Sequence, residues 1–235
     1  MKLSAVYIDD YYPDEEFYRQ AVALLSEERA RKLEKLHFAE DRVRSILGEL
    51  LLRINLKQVW GIGSGEIRFV YNEFGKPRLE RHPQLHFNLT HSGRWVAAAI
   101  DEAPVGVDVE HIKPVDLGIA ERFFTPSEQK YIQGETDGNK LTSFYRIWTL
   151  KESYIKAKGK GLSIPLNRFS VELADEQIYV NDVLGEDKAA WFFKSYEDLP
   201  GYAMAVCSAQ SSIPDQVECR SLREIQSELL MLSEL

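Results

Sequence analysis

The sequence predicts an α+β fold made of two similar α/β halves with a ligand cleft where they meet. Three observations lead to that class. The chain has 235 residues, room for one large domain or two of about 100 residues each. The elements read as a strand, a long helix and strands, and then as a strand, helices and strands again. A weak echo recurs at a spacing of about 100 residues: "AVYID" resembles "VGVDV", and each is followed by an acid-rich helix start ("SEER", "PSEQ") and a long helix. In the echo "LGELLLR" aligns with "LKESYIK", placing Glu49 and Arg53 opposite Glu152 and Lys156.

The elements follow in order. "LSAVYID" reads as a short strand. Residues 26 to 61 read as helical, with Ser26 as N-cap and Gly61 as stop. Within them Val43, Ile46, Leu47, Leu50, Leu51 and Ile54 recur at helical spacing and make one buried stripe. "EIRFVYNEFGKPRLE" predicts two strands around a turn at Gly75, Lys76 and Pro77. "LHFNLTHSGRWVAAAI" is a third strand region, and "PVGVDVEHI" a fourth after the break at Pro104. Helices are expected over 115–133, restarting near Thr125 and Pro126, and over 138–158. "FSVELA", "QIYV", "AAWFFKSYE" and "YAMAVCSA" then read as strands. The boundaries expected are 1–103 for the first half, 104–210 for the second and 211–235 for an amphipathic, loosely docked tail.

Composition narrows the function classes. The chain is 44% hydrophobic and 28% charged, as globular proteins are. No apolar run reaches the roughly 18 residues of a membrane span. The start "MKLSAVYIDDYYPDEE" meets acids too soon for a secretory signal, so a cytoplasmic location is expected. Cys207 and Cys219 form no disulfide framework, and the "NLT" sequon at Asn88 is read as coincidence. The net charge of −8 argues against a nucleic-acid binder. Residues 140–168 nevertheless sum to +6 against −14 for the remainder, a basic face suited to an anionic ligand or an acidic partner.

Several side chains carry possible chemistry. On a strand, Asp108 and Glu110 of "GVDVEHI" point to one side about 7 Å apart, while Val107 and Val109 face the other. They are either a wet strand face or, with a third carboxylate, an oxygen-rich site for a hard divalent cation such as Mg2+. Glu152 and Lys156, at i and i+4, share a helix face. As a surface pair they would contribute only about 0.3–0.5 kcal/mol; as site residues, the carboxylate would hold a cation and the ammonium a phosphate oxygen. His91, between Thr90 and Ser92, is either a loop histidine or a donor to an anion at a strand end. Lys76 in the turn "FGKP" is either solvated or within reach of a phosphate. Neither a P-loop, a G-x-S-x-G elbow nor zinc-ligand spacing occurs.

The motifs "FGKP", "NLTHSG", "GVDVE", "FFTPSE" and "WTLKESYIKAKGKGL", in this order and at these separations, resemble the Sfp-type 4′-phosphopantetheinyl transferases over roughly residues 20 to 170. The resemblance implies a monomer of two halves related by a pseudo-twofold axis, with the active site in the cleft between them. It implies an enzyme that uses Mg2+ to move the 4′-phosphopantetheine arm of coenzyme A to a serine hydroxyl of an acyl or peptidyl carrier protein, releasing adenosine 3′,5′-bisphosphate. Carried over by motif, Asp108, Glu110 and Glu152 match magnesium ligands, and Lys156 and His91 match residues on the diphosphate. Lys76 and Thr90 match positions near the adenosine 3′-phosphate and adenine; Arg29, Lys32 and Ser45 fall where the family often has Lys, Lys and Thr. Arg29 keeps the charge but not necessarily the contact of a lysine. Glu152, Glu128 or a metal-bound water is the expected proton acceptor for the serine. Carrier proteins are typically acidic, which suits the +6 segment, and docking is expected mainly around residues 159–190. Two other readings are a different metal-dependent phosphoryl or nucleotidyl transferase and a catalytically silent carrier-binding module.

Overall fold

A computed structural model describes residues 1–9, 14–174, 177–182 and 190–233. The first half begins with β1 (Lys2–Tyr7) and three helices, α1 (Glu15–Leu24), α2 (Glu27–Glu34) and α3 (Ala39–Trp60). It continues with the hairpin β2 (Phe69–Tyr71) and β3 (Pro77–Leu79), then β4 (His86–Ser92) and β5 (Trp95–Asp101). The second half repeats this order: β6 (Val105–His111), α4 (Ile119–Phe123), α5 (Pro126–Gly134), α6 (Asp137–Lys158), the hairpin β7 (Phe169–Ala174) and β8 (Gln177–Asp182), then β9 (Phe192–Tyr196) and β10 (Tyr202–Ser208). β11 (Glu218–Ser221) and α7 (Leu222–Ser233) follow.

The repeat is visible in strand order. β1–β5–β4 and β6–β10–β9 are both antiparallel, with the first strand of each half paired to its last. Helices α3 and α6 each span 22 residues and each stop at a glycine in the left-handed region, Gly61 and Gly159. Only a residue without a Cβ takes that conformation without strain, which is why both helices end there. Counted from these stops the halves are 98 residues apart. Aligning Glu49 with Glu152 is therefore five residues out of helix register, and the expected echo of those two side chains does not hold. Glu49 and Arg53 instead make a buried ion pair at 2.6 Å, and Glu49 accepts the backbone N–H of Ser26 at the start of α2.

The predicted stripe of α3 is the core of the first half: Val43, Ile46, Leu47, Leu50, Leu51 and Ile54 are all buried. Two differences from the expected elements stand out. "LHFNLTHSGRWVAAAI" is a hairpin of two strands, because Gly93 takes a left-handed turn between Ser92 and Trp95. The tail is not loosely docked: β11 pairs in parallel with β1, and Leu222, Ile225, Leu229 and Leu232 are buried against α3 and its neighbours. Residues 218–232 thus complete the sheet and core of the first half.

A single apolar cluster joins the halves. Leu3, Ala5, Ala97 and Ala99 of the first sheet pack against Val105, Val107, Val109, Met204 and Val206 of the second. The alanines let the two sheet faces approach closely. No described helix is long and apolar enough to cross a membrane.

Candidate active site

The cleft lies where β4 of the first half runs beside β6 of the second. The two strands are joined by side chains as well as by packing. Asn88 Oδ1 accepts the N–H of Val107 at 2.8 Å, Thr90 Oγ1 that of Val109 at 3.4 Å, and Ser92 Oγ that of His111 at 3.1 Å. These polar residues alternate with Leu89 and His91, the period-2 pattern of a strand with one edge-facing polar set.

Helix α6 packs on the face of β6 that Gly106 presents, and the missing side chain there is the reason it can come so close. A Cβ there would stand 2.0 Å from the Ser153 carbonyl oxygen and 2.4 Å from the Ala157 nitrogen. The close approach brings Lys156 across to β6, where its Nζ donates to Asp108 Oδ1 at 2.5 Å and to Thr90 Oγ1 at 3.2 Å. Its ion pair is thus with Asp108, not with Glu152 one turn away.

Asp108, Glu110 and Glu152 share this region, and their electrostatics show it. Burial raises the pKa of Asp108, against the opposing pull of Lys156 and Thr90. Burial also raises Glu110, opposed by the Ser92 hydrogen bond and reinforced by the charge of Asp108. Glu152 is raised by burial and then by the charge of Asp108, with Glu110 adding to it. Three carboxylates that feel one another in a half-buried cleft are an arrangement that a cation relieves. Asp108 Oδ2 is buried without a hydrogen-bond donor, a lone pair left over for such an ion. Among the described residues, no three acidic, histidine or cysteine side chains stand close enough to hold a metal as they are. The orphaned oxygen and the all-oxygen donor set fit Mg2+, which takes one or two carboxylates and completes its shell with phosphate and water. Lys156 holds Asp108 in the position a cation would claim.

His91 is exposed on β4. Surrounding protein lowers its pKa first, then the charge of Arg44; Lys156 adds to the effect and Asp41 opposes it. Arg44 itself donates to Asp41 at 2.6 Å and to the Gly93 carbonyl at 3.0 Å. Farther into the first half, Arg29 donates to Ser45 Oγ and to Glu49, both at 3.4 Å, and Lys32 pairs with Glu28 at 2.6 Å while lying over the Tyr71 ring. Arg29 and Ser45 are thus in contact, while Lys32, one turn along α2, is paired with Glu28.

Two family models match the chain: "4′-phosphopantetheinyl transferase, N-terminal" over residues 9–103 and "4′-phosphopantetheinyl transferase superfamily" over residues 104–207. The 4′-phosphopantetheinyl transferase ffp of Bacillus subtilis is 40% identical over 92% of this chain and 96% of its own. Sfp of Bacillus subtilis strain 168 is 38% identical over 96% of this chain and 100% of its own.

The chain belongs to the Sfp-type 4′-phosphopantetheinyl transferase family.

Among solved structures, holo-[acyl-carrier-protein] synthase of Thermotoga maritima aligns over 48% of this chain and 66% of its own, with 20% identity and a TM-score of 0.40.

In this Sfp-type chain the structure gathers Thr90, Asp108, Glu110, Glu152 and Lys156 but sets two expected residues to other tasks. Glu128 is not a free base. Both its oxygens are saturated: Lys151 Nζ donates to them at 2.6 and 2.8 Å, Thr125 N at 2.8 Å and Val171 N at 2.8 Å. It is 2% exposed and braces α5, α6 and β7 against one another. A carboxylate without a free oxygen within reach of a nucleophile cannot take its proton. Among the described residues no donor reaches Glu152, so the Glu152 expectation is the one that geometry leaves open. Lys76 does not present its ammonium to a phosphate either. Its Nζ donates to the carbonyls of Lys156, Ala157 and Val105 at 2.5, 3.1 and 3.2 Å, closing the C-terminus of α6, and burial depresses its pKa to about 8.

Sequence reasoning missed Asn88, Ser92, Arg44 and Lys151. The first two had a readable signal: polar residues at 88, 90 and 92 alternate in step with the acids at 108 and 110. Arg44 and Lys151 had none, since a basic residue on a helix is ordinary.

Proposed function

We infer that this chain transfers the 4′-phosphopantetheine arm of coenzyme A to a serine hydroxyl of an acyl or peptidyl carrier protein. The observation that carries this reading is the convergence of Asp108 and Glu110 on β6 with Glu152 and Lys156 on α6, in a chain of the Sfp-type family. The serine oxygen attacks the β-phosphorus of coenzyme A, the bond to the leaving phosphate breaks, and adenosine 3′,5′-bisphosphate departs. Asp108, Glu110 and Glu152 would hold Mg2+, which supplies Lewis-acid stabilisation of the charge growing on the phosphoryl oxygens. Lys156 and His91 would add donors to those oxygens; for Lys156 this means leaving Asp108, which it now holds at 2.5 Å. Glu152, half-buried with a raised pKa, is the side chain suited to receive the serine proton. Arg29, Lys32 and Ser45 would serve the coenzyme A side of the cleft, and Thr90, which matches a position near the 3′-phosphate and adenine, also donates to Asp108 at 3.2 Å. The site is made within one chain, which favours a monomer, and a cytoplasmic location stays part of this reading. The basic end of α6 favours an acidic carrier. Part of the expected docking stretch, residues 175–176 and 183–189, lies outside the described residues.

The test is intact-mass analysis of apo carrier proteins incubated with the full chain, coenzyme A and Mg2+. The carrier gains the mass of the arm, chelation of Mg2+ stops the gain, and Asp108→Ala lowers its rate by roughly 100-fold or more. Release of adenosine 3′,5′-bisphosphate with unmodified carriers would favour a different phosphoryl transferase. Binding of carriers with neither product would favour a silent module.

A further inference from the structure

We propose that Ser92 is a positioning residue: its hydroxyl, on one half of the molecule, sets the orientation of Glu110 on the other half for metal binding. The inference rests on the magnesium reading above, and nothing in the motif comparison gives Ser92 a role.

The argument starts from the single proton that a serine hydroxyl carries. Ser92 Oγ accepts the backbone N–H of His111 at 3.1 Å, which ties the hydroxyl oxygen to β6. Its proton goes to Glu110 Oε2 at 2.8 Å. The same logic holds one rung away. Thr90 Oγ1 accepts from Val109 N and from Lys156 Nζ, so its proton goes to Asp108 Oδ1 at 3.2 Å. Each hydroxyl on β4 thereby fixes one oxygen of one carboxylate on β6, and leaves the other oxygen to a ligand.

Ser92 is itself held from two sides. It closes β4 opposite Trp95, and the turn that follows is tied to the second half by Tyr202, whose phenol oxygen accepts the N–H of Arg94 at 3.0 Å. Gly93, in the left-handed region, is needed in that turn because a Cβ would stand 2.4 Å from the same phenol oxygen. The Tyr202 ring stacks on His111, the residue whose N–H Ser92 accepts. Ser92, His111 and Tyr202 thus bracket Glu110 at the mouth of the seam. An unheld glutamate samples many rotamers, and a hydrogen bond from outside the ligand set is how proteins restrict them around a metal.

The experiment compares variants of equal shape. Ser92→Thr keeps the hydroxyl and Ser92→Val removes it, and both are β-branched residues suited to a strand. Mn2+ stands in for Mg2+, and its dissociation constant on the full chain with coenzyme A is read by electron paramagnetic resonance, alongside thermal unfolding. The expected result is a Kd raised about 10- to 100-fold in Ser92→Val, with Ser92→Thr near the wild-type value and both melting close to the wild type. Equal Mn2+ affinity in the two variants would overturn the inference. Ser92→Ala gives the same comparison should the valine variant not fold. Asp108→Ala separates the two levels: loss of Mn2+ there with retention in Ser92→Val removes the role of Ser92 alone. Retention in Asp108→Ala removes the ligand set, and the inference with it.

Discussion

His91 carries the most direct consequence at the scale of single residues. Its pKa is lowered from the ordinary value of 6.5, first by desolvation and then by the Arg44 charge, which favours the neutral imidazole in the free protein. A diphosphate beside it would raise that pKa. The complex then holds one proton more than the free protein, in the window between the depressed value and the raised one. Affinity for coenzyme A therefore rises as pH falls through that window, by at most about tenfold per pH unit for one proton. Calorimetric titration at several pH values checks this. His91→Gln should flatten the His91 component while leaving the titration of the ligand's own phosphates. An identical pH profile for wild type and variant would mean that the imidazole does not face the anion. Glu128 makes the contrasting case. As one half of a fully buried pair with Lys151, it contributes to folding, and Glu128→Ala is expected to destabilise by about 3–5 kcal/mol, read by chemical denaturation. A variant that stayed as stable as the wild type yet lost turnover would return Glu128 to the reaction.

The contact of β6 with α6 decides the site at the scale of elements. The strand supplies Asp108 and Glu110, the helix supplies Glu152 and Lys156, and Gly106 sets the distance between them. The atoms a Cβ would strike are backbone, which cannot swing aside as a flexible side chain does. Gly106→Ala should therefore push α6 off the strand, with a loss of about 1–3 kcal/mol or more and a larger loss of transfer activity. Thermal unfolding and the carrier mass assay measure the two effects separately, and full activity in this variant would show that the helix need not sit so close. At the end of the same helix, Lys76 and Asn72 close the last turn: Asn72 donates to the Gly159 carbonyl at 2.8 Å. The hairpin carrying Lys76 thus buttresses the helix that carries the signature residues.

At the scale of the whole molecule, the two halves share a core and a hydrogen-bonded seam, and the tail locks onto the first half. Arg220 joins Glu218, Gln58 and Glu228, tying β11, α3 and α7 together. Ile225 is fully buried in the apolar core of the first half. Ile225→Ala should cost about 2–5 kcal/mol in a denaturant titration, with the KM for coenzyme A unchanged at temperatures where the protein stays folded. A negligible loss would mean the tail is the loosely attached helix that its sequence suggests.

Most of the repeating architecture is legible in the sequence, because periods of 2 and 3.6 residues are local signals. The stripe Val43 to Ile54 and the alternation of "GVDVE" each declare their own face. The order of motifs named the family, and the three carboxylates came with it. Residue type alone was silent on who satisfies whom. Lys76 and Glu128 look like phosphate ligand and base until the carbonyls of α6 and the ammonium of Lys151 claim them. Ser92 looks like a loop serine until Glu110, 18 residues on, accepts its proton. A buried charge or hydroxyl must find a partner, and tertiary packing brings that partner from a distant stretch of chain that no local pattern encodes.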